Sequence, residues 1–235
     1  MSAIDLFKRI WFRRRNYLAQ SDYLQPSFLR AIGRRRIRTI FELGSCGGED
    51  ARRLQHAFRR ATIYSFECNP LVLPSLRARL AGEPRVRLVD RAVWDADGRI
   101  PFHPVVRATQ DGRAIDNPGA SSCFLASADY RQQYVQDTVD VEAVRLDTFC
   151  AAEGIGGPDL LCIDVQGAAL RALRGLGARI ADVSAIIIEI ERRPIYLGQD
   201  LYPEIDGFLV AHGFRQAVEV RRDDWFSDFL YLRDA

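Results

Sequence analysis

From Ile37 onward, short apolar runs alternate with helical stretches, and this alternation confines the chain to very few folds. IRTIFELG (37–44) leads into an arginine-rich helix and then into TIYSFE (62–67). Strands joined through a helix pair in parallel, because the crossover returns the chain to the edge where the first strand began. DLLCIDV (159–165) and VSAIIIEIE (183–191) are nearly continuous apolar runs, which suits the centre of such a sheet, where both faces are covered. A helix over 168–175 separates them, and another runs from Pro203 to His212 and stops at Gly213. FRQAVEV and WFSDFLYL, separated by Arg221 to Asp224, close the sheet as an antiparallel hairpin. The expected fold is α/β and Rossmann-like, with a central, mostly parallel sheet ending in a C-terminal antiparallel hairpin.

Between these landmarks the pattern is weaker. A helix is expected to open at Asn69-Pro70 and to carry Leu71, Leu76 and Leu80 on one side. VRLVDRAVW (86–94) reads as one strand, and Asp97-Gly98 as the turn of a hairpin added to the sheet. The stretch 107–137 is polar and aperiodic, which predicts a loop over the active site, and the alternating half of VDVEAVRLDTF (139–149) returns as a strand.

With 235 residues, 48% of them hydrophobic, one domain over 37–235 is expected, behind an N-terminal segment over 1–36. Within that segment Ile4 to Tyr17 mixes aromatic and aliphatic residues with Lys8, Arg9, Arg13, Arg14 and Arg15 as a short amphipathic basic helix. It either contacts a membrane surface or lipid-linked substrate, or packs as a helix capping the domain. A formal net charge of only +2 calls for no nucleic-acid partner. No apolar run reaches the roughly 18 to 20 residues that span a bilayer. Five singly placed cysteines, without C-x-x-C pairs, fit reduced thiols of a cytoplasmic protein and offer no metal site.

Chemistry concentrates at the strand ends. Glu42-Leu43-Gly44-Ser45-Cys46-Gly47-Gly48 is a strand running into a glycine turn and a helix, whose first residues, Glu49 and Asp50, would repel a pyrophosphate at the helix N-terminus. S-adenosylmethionine, with a sulfonium and an ammonium group and no phosphate, suits that acidic rim. Glu67, in the FECNP segment with Cys68 and Asn69, ends the next strand, where a carboxylate can accept both ribose hydroxyls; the same geometry would serve NAD. Arg91 and Ala92 belong to the third strand end, near the adenine. Asp164 and Gln166 end a central strand on the same crevice. Asp164 is either a general base toward an acceptor hydroxyl or a group that orients the methionine moiety or caps the following helix. Glu189 and Glu191 share a face of the next strand and rank second as catalytic candidates. Ser121-Ser122 can touch cofactor or acceptor, while the three histidines are isolated.

In this order, ELGSCGGED, SFECNP, RAVWDADG, GASSCF, VRLDTF, LLCIDVQGAALRALRG and IIIEIE resemble the FkbM family of methyltransferases over roughly Ile37 to Phe214. The resemblance implies a class I methyltransferase fold, S-adenosylmethionine as donor, and O-methylation of sugars or natural-product hydroxyls, the acceptor being a small molecule or glycan. It puts Gly44 and Glu67 at the cofactor and Asp164 at the reaction crevice. Two departures stand out: Gln166 and Ala169 replace glutamates common in the family, and Glu42 replaces an aspartate. An NAD-dependent oxidoreductase is disfavoured by the acidic helix start and the missing third glycine spacing. A catalytically silent binding module, supported by Gln166 and Ala169, is opposed by intact Glu42, Gly44, Glu67 and Asp164.

Overall fold

The computed structural model describes residues 23–233, so the basic segment from Ile4 to Tyr17 lies outside the described residues. A short helix α1 (Pro26–Ile32) precedes β1 (Thr39–Leu43), and α2 (Glu49–Ala57) carries the chain to β2 (Thr62–Glu67). Helix α3 (Leu73–Leu80) then leads to β3 (Val86–Asp90). After an excursion over residues 91–145 the chain resumes with α4 (Leu146–Glu153), β10 (Leu160–Ile163), α5 (Ala169–Gly175), β11 (Ala185–Glu191) and α6 (Tyr202–Ala211). It finishes in the hairpin β12 (Phe214–Arg221) and β13 (Phe226–Arg233).

Seven strands form the central sheet in the order β12-β13-β11-β10-β1-β2-β3. β11, β10, β1, β2 and β3 run parallel, whereas β13 pairs antiparallel with both β11 and β12. Every residue of β10 is buried, as its continuous apolar run requires. On one face α4, α5 and α6 contribute Leu146, Phe149, Leu170, Leu173, Ile205 and Leu209 to a core with Phe41, Phe66, Ile163 and Ile188. On the other, Phe28 and Ile32 of α1, Leu54 of α2, and Leu76 and Leu80 of α3 cover Ile40, Ile63, Cys162 and Ile187. Order along the sheet reverses between β1 and β10, so the crevice at their carboxyl ends is the expected ligand position.

The excursion departs from the sequence expectations in three ways. VRLVDRAVW is not one strand: Arg91 breaks it, and β4 (Ala92–Val93) leaves the main sheet to pair with β9 (Val139–Val144). Asp97-Gly98 makes no hairpin either, because β4 and β5 (Gly98–Phe102) lie on opposite sides of β9 in a separate three-stranded sheet. The expected loop over 107–137 carries a third sheet at its two ends, in which β6 (Val105–Gln110) lies between β7 (Arg113–Ile115) and β8 (Gln132–Gln136), while the part between β7 and β8 holds no strand. The sheet's small core holds Val105, Ala108 and Ala120, too few apolar residues to announce strands by periodicity. Helix α3 also starts later than Asn69-Pro70. Asn69 Oδ1 accepts the Leu71 N–H at 3.0 Å, residues 70–72 form a turn, and Pro74 supplies the first-turn proline. Leu71 is consequently 55% exposed, and Leu73 joins Leu76 and Leu80 on the buried side.

Four rings lock the face beneath the site. Phe149 of α4 lies 5.0 Å from Phe66, 5.6 Å from Tyr64 and 5.8 Å from Phe41, centroid to centroid, in edge-to-face contacts. We expect Phe149→Ala to lower unfolding free energy by about 3 to 5 kcal/mol, the usual cost of emptying a buried phenylalanine site, measured as a lower urea midpoint at unchanged slope.

Candidate functional site

Two clefts open at the carboxyl ends of the parallel strands and share Gly44, Cys46 and Asp164 as a common wall. The first, about 680 Å³, is bounded by Glu67, Cys68 and Asn69 after β2, by Arg91 and Ala92 after β3, and by Gln166 after β10. Phe66, Val72, Val93 and Phe102 make it apolar, and Pro118, Gly119, Ser121 and Cys123, from the segment between β7 and β8, wall it from the third sheet. The polar stretch over 107–137 thus borders the site through the connection between β7 and β8, a loop with a single 3-10 turn at Pro118–Ala120. The second cleft, about 650 Å³, is bounded by Tyr23, Glu42, Ser45, Glu49, Asp50, Glu189 and Asp228 besides the shared wall. Of the candidate site residues named from the sequence, Glu191 and Ser122 line neither cleft, and the others line one or both.

The common wall is a tightly specified turn. Gly44 has φ +87°, and a Cβ there would lie 1.8 Å from the Asp164 carbonyl oxygen, so only glycine lets the turn pass against the end of β10. Cys46 has φ 45°, left-handed backbone that a side chain rarely adopts without help. Help comes from Glu67, whose Oε2 accepts the Cys46 N–H at 2.7 Å. Glu67 Oε1 accepts the N–H groups of Cys68 at 2.8 Å and Asn69 at 2.7 Å. Three of the roughly four lone-pair sites of a carboxylate are therefore occupied, leaving about one, not two, for a ribose hydroxyl. Burial raises the Glu67 pKa, and the three N–H bonds oppose that rise. Asn69 continues the chain of contacts, its Nδ2 donating to Ser121 Oγ at 3.0 Å and so tying the wall from the third sheet to β2.

The two clefts differ sharply in charge. Among the described residues the second is lined by six carboxyl side chains and no basic one. Glu42 is fully buried; Ser65 Oγ donates to its Oε2 at 2.6 Å, Ser45 Oγ lies 2.7 Å from the same hydroxyl, and Oε1 is buried with no partner. Burial pushes Glu42 from the usual 4.5 up to about 7, with Asp50 and Glu67 adding to the rise against the serine hydrogen bond. Tyr23 is also raised, first by burial and then by Asp164 and Glu42. In the first cleft burial lifts the thiols of Cys46 and Cys123 to about 11 and about 12, so both are neutral walls at physiological pH. At the end of β11, Glu189 accepts from Gln166 Nε2 at 3.3 Å, while Glu191 is buried and raised by that burial to about 8. Glu49 pairs with Arg79 at the start of α2.

Sequence reasoning missed Tyr23 and Asp228. Asp228 faces Glu189 in the β11–β13 register and was legible as the one acid inside the otherwise apolar FSDFLYL run. Tyr23 precedes α1 in a stretch without periodicity, and nothing in the sequence marks it. Among the described residues no group of three or more histidine, cysteine or acidic side chains is arranged to hold a metal ion, and no helix is long and apolar enough to cross a membrane.

Residues 45–216 match the family model described as the methyltransferase FkbM domain. Over 190 residues the chain is 30% identical to the 2-O-methyltransferase NoeI of Sinorhizobium fredii, covering 77% of this chain and 76% of that protein. Among solved structures, the methyltransferase FkbM of Methylobacillus flagellatus KT aligns with 92% of this chain at TM-score 0.57 and 13% identity, and the chain spans 47% of its length. Precorrin-6y C5,15-methyltransferase of Geobacter metallireducens GS-15 aligns at TM-score 0.50 and 12% identity, over 92% of this chain and 91% of that one. The strand order and these likenesses agree on a class I methyltransferase fold.

The raised carboxyl in the acidic cleft has a measurable consequence. Glu42 titrates higher folded than unfolded, so its burial is harmless below about pH 4.5, where it is neutral in both states, and stability falls as pH rises toward 7. Glu42→Gln removes that dependence. We expect the ligand-free variant to gain stability relative to wild type between pH 5 and pH 8, read by urea denaturation at both values; an equal difference at the two pH values would contradict it.

Proposed function

The chain belongs to the FkbM methyltransferase family, and from that premise we propose that it transfers a methyl group from S-adenosylmethionine to a hydroxyl oxygen of a sugar, glycan or related natural-product acceptor. The observation that carries the donor assignment is the orphaned, fully buried Glu42 oxygen in a cleft lined by carboxyl groups, one wall of which is the glycine turn. A cationic ligand end satisfies that oxygen and gains from the surrounding negative field. A pyrophosphate would meet Glu49 and Asp50 at the N-terminus of α2, which speaks against NAD. The apolar first cleft suits an adenosine, with Phe66, Val72 and Val93 against the base and the remaining lone pair of Glu67 available to a ribose hydroxyl. The 2-O-methyltransferase relative supports oxygen as the acceptor atom.

When bound, S-adenosylmethionine supplies a methyl group already activated by its sulfonium. What the chain adds is mainly positioning and proton management. Asp164 is on the wall between the clefts, beside the point where the donor's adenosine would give way to its cationic end and so next to the sulfonium methyl, and its carboxylate takes the proton that the acceptor hydroxyl gives up as its oxygen is methylated. Glu189, one strand away, adds negative charge beside the hydroxyl and hydrogen-bonds it in place. The wall built by Pro118, Gly119, Ser121 and Cys123 keeps water from the donor.

Calorimetric titration with S-adenosylmethionine, S-adenosylhomocysteine and NAD tests the donor, and isotopically labelled S-adenosylmethionine with a panel of p-nitrophenyl glycosides and nucleotide sugars tests the acceptor. We expect the first two ligands to bind and NAD to be silent. Glu67→Gln should weaken donor binding about tenfold or more, because an amide cannot accept all three turn N–H groups. Asp164→Asn should leave donor affinity nearly intact while slowing transfer roughly 10²- to 10⁴-fold, the usual worth of a general base. A folded protein that ignores both sulfur ligands would instead favour a binding role without transfer.

A further inference from the structure

Gln166 occupies the most constrained backbone of the site outside the glycine turn. Its φ is 48°, left-handed for a residue with a side chain, and the surroundings enforce it. Ser122 Oγ donates to its carbonyl oxygen at 2.6 Å, and the next residue, Gly167, has φ +87° with Gln199 and Tyr196 close against it. The result of that backbone is the direction of the side chain. Gln166 Nε2 lies 2.5 Å from Asp164 Oδ1 and 3.3 Å from Glu189 Oε1, while its Oε1 lies 2.7 Å from the Tyr196 hydroxyl.

Partner chemistry settles which end of the amide is which. Tyr196 is fully buried, and its hydroxyl has two oxygens within reach, Gln166 Oε1 and the Ala120 carbonyl at 2.9 Å. The single phenol hydrogen is shared between these two acceptors, so the orientation of the amide is fixed at its other end, by Asp164 and Glu189. Turned over, the amide would press its oxygen against two carboxylates, whereas as placed it offers one N–H to each. Carboxylates brought side by side repel, and a shared neutral donor offsets that repulsion without adding a charge of its own.

We propose that Gln166 is a positioning residue for methyl transfer: anchored by Tyr196, its amide donates one N–H to Asp164 and one to Glu189 and holds the two carboxylates together at the acceptor hydroxyl. This rests on the reading of Asp164 as the base. The role is distinct from packing, because glutamate has the shape of glutamine and retains an oxygen for Tyr196, yet turns an acceptor rather than a donor toward Asp164.

The test compares Gln166→Glu, Gln166→Ala, Tyr196→Phe and Asp164→Asn, using labelled S-adenosylmethionine and whichever p-nitrophenyl glycoside the wild type methylates, with donor affinity measured separately by calorimetry. Gln166→Glu should lower kcat roughly 10²-fold, as misplacement of a catalytic group does, at donor affinity within about threefold. Gln166→Ala should fall between it and wild type, and Tyr196→Phe should lose several-fold through the freed amide. A Gln166→Glu enzyme with wild-type kcat overturns the proposal; should that variant not fold, wild-type kcat in Gln166→Ala does so. Loss in Gln166→Glu with an unaffected Asp164→Asn would sink the reading of the base instead. A readout independent of the acceptor is the side-chain amide resonance of Gln166, identified by its absence in Gln166→Ala. It should shift in both Asp164→Asn and Glu189→Gln, and an unmoved resonance in both overturns the proposal.

Discussion

One carboxylate organises the upper edge of the sheet. Glu67 closes three backbone N–H groups around itself, one from the turn after β1 and two from the chain leaving β2. Without it the left-handed Cys46 has no evident support, and the turn that separates the two clefts loses its anchor to the neighbouring strand. The first cleft is also closed through this group, since Asn69, held by Glu67, reaches Ser121 in the segment that walls the cleft. An acid often pictured as a ligand contact is here first a piece of architecture, and ligand contact is what its remaining lone pair is left to do.

Beyond this strap, the site works by contrast. An apolar cleft and an acidic cleft meet at Gly44, Cys46 and Asp164, so a molecule lying across the wall has its uncharged part in one medium and its cationic part in another. That division favours a ligand with an aromatic body and a positive end over one carrying negative charge throughout. The cost is visible in Glu42, the buried carboxyl of the acidic cleft that burial pushes to about 7. Such a group weakens the fold where it is ionised without a partner.

The main sheet was legible in the sequence because its strands obey one rule: β10 and β11 are buried on both faces and read as unbroken apolar runs, while β12 and β13 announce a hairpin across four polar residues. The strand-end acids followed from that sheet, since a parallel arrangement places Glu42, Glu67, Asp164 and Glu189 along one edge whatever their contacts. What escaped was the excursion. A two-residue strand such as β4 has no period to detect, and β6 to β8 expose both polar and apolar residues around a core of three. The start of α3 was misplaced because Asn69 caps a turn instead of a helix. Gln166 was legible as a site residue from its place after β10, but not as the centre of a network, because Tyr196 and Glu189 arrive from chain segments whose approach only the folded sheet defines.

Strand β13 is the last of the described strands to leave the ribosome, yet it lies inside the sheet, between β11 and the earlier β12. Until it arrives, β11 offers a row of isoleucines and unpaired backbone groups, and β12 has nothing to pair with. The same late strand brings Asp228 opposite Glu189. Completion of the acidic cleft and closure of the sticky edge are thus a single event, the arrival of β13, so a nascent chain that still lacks it has an unfinished cleft and is the natural client of a chaperone.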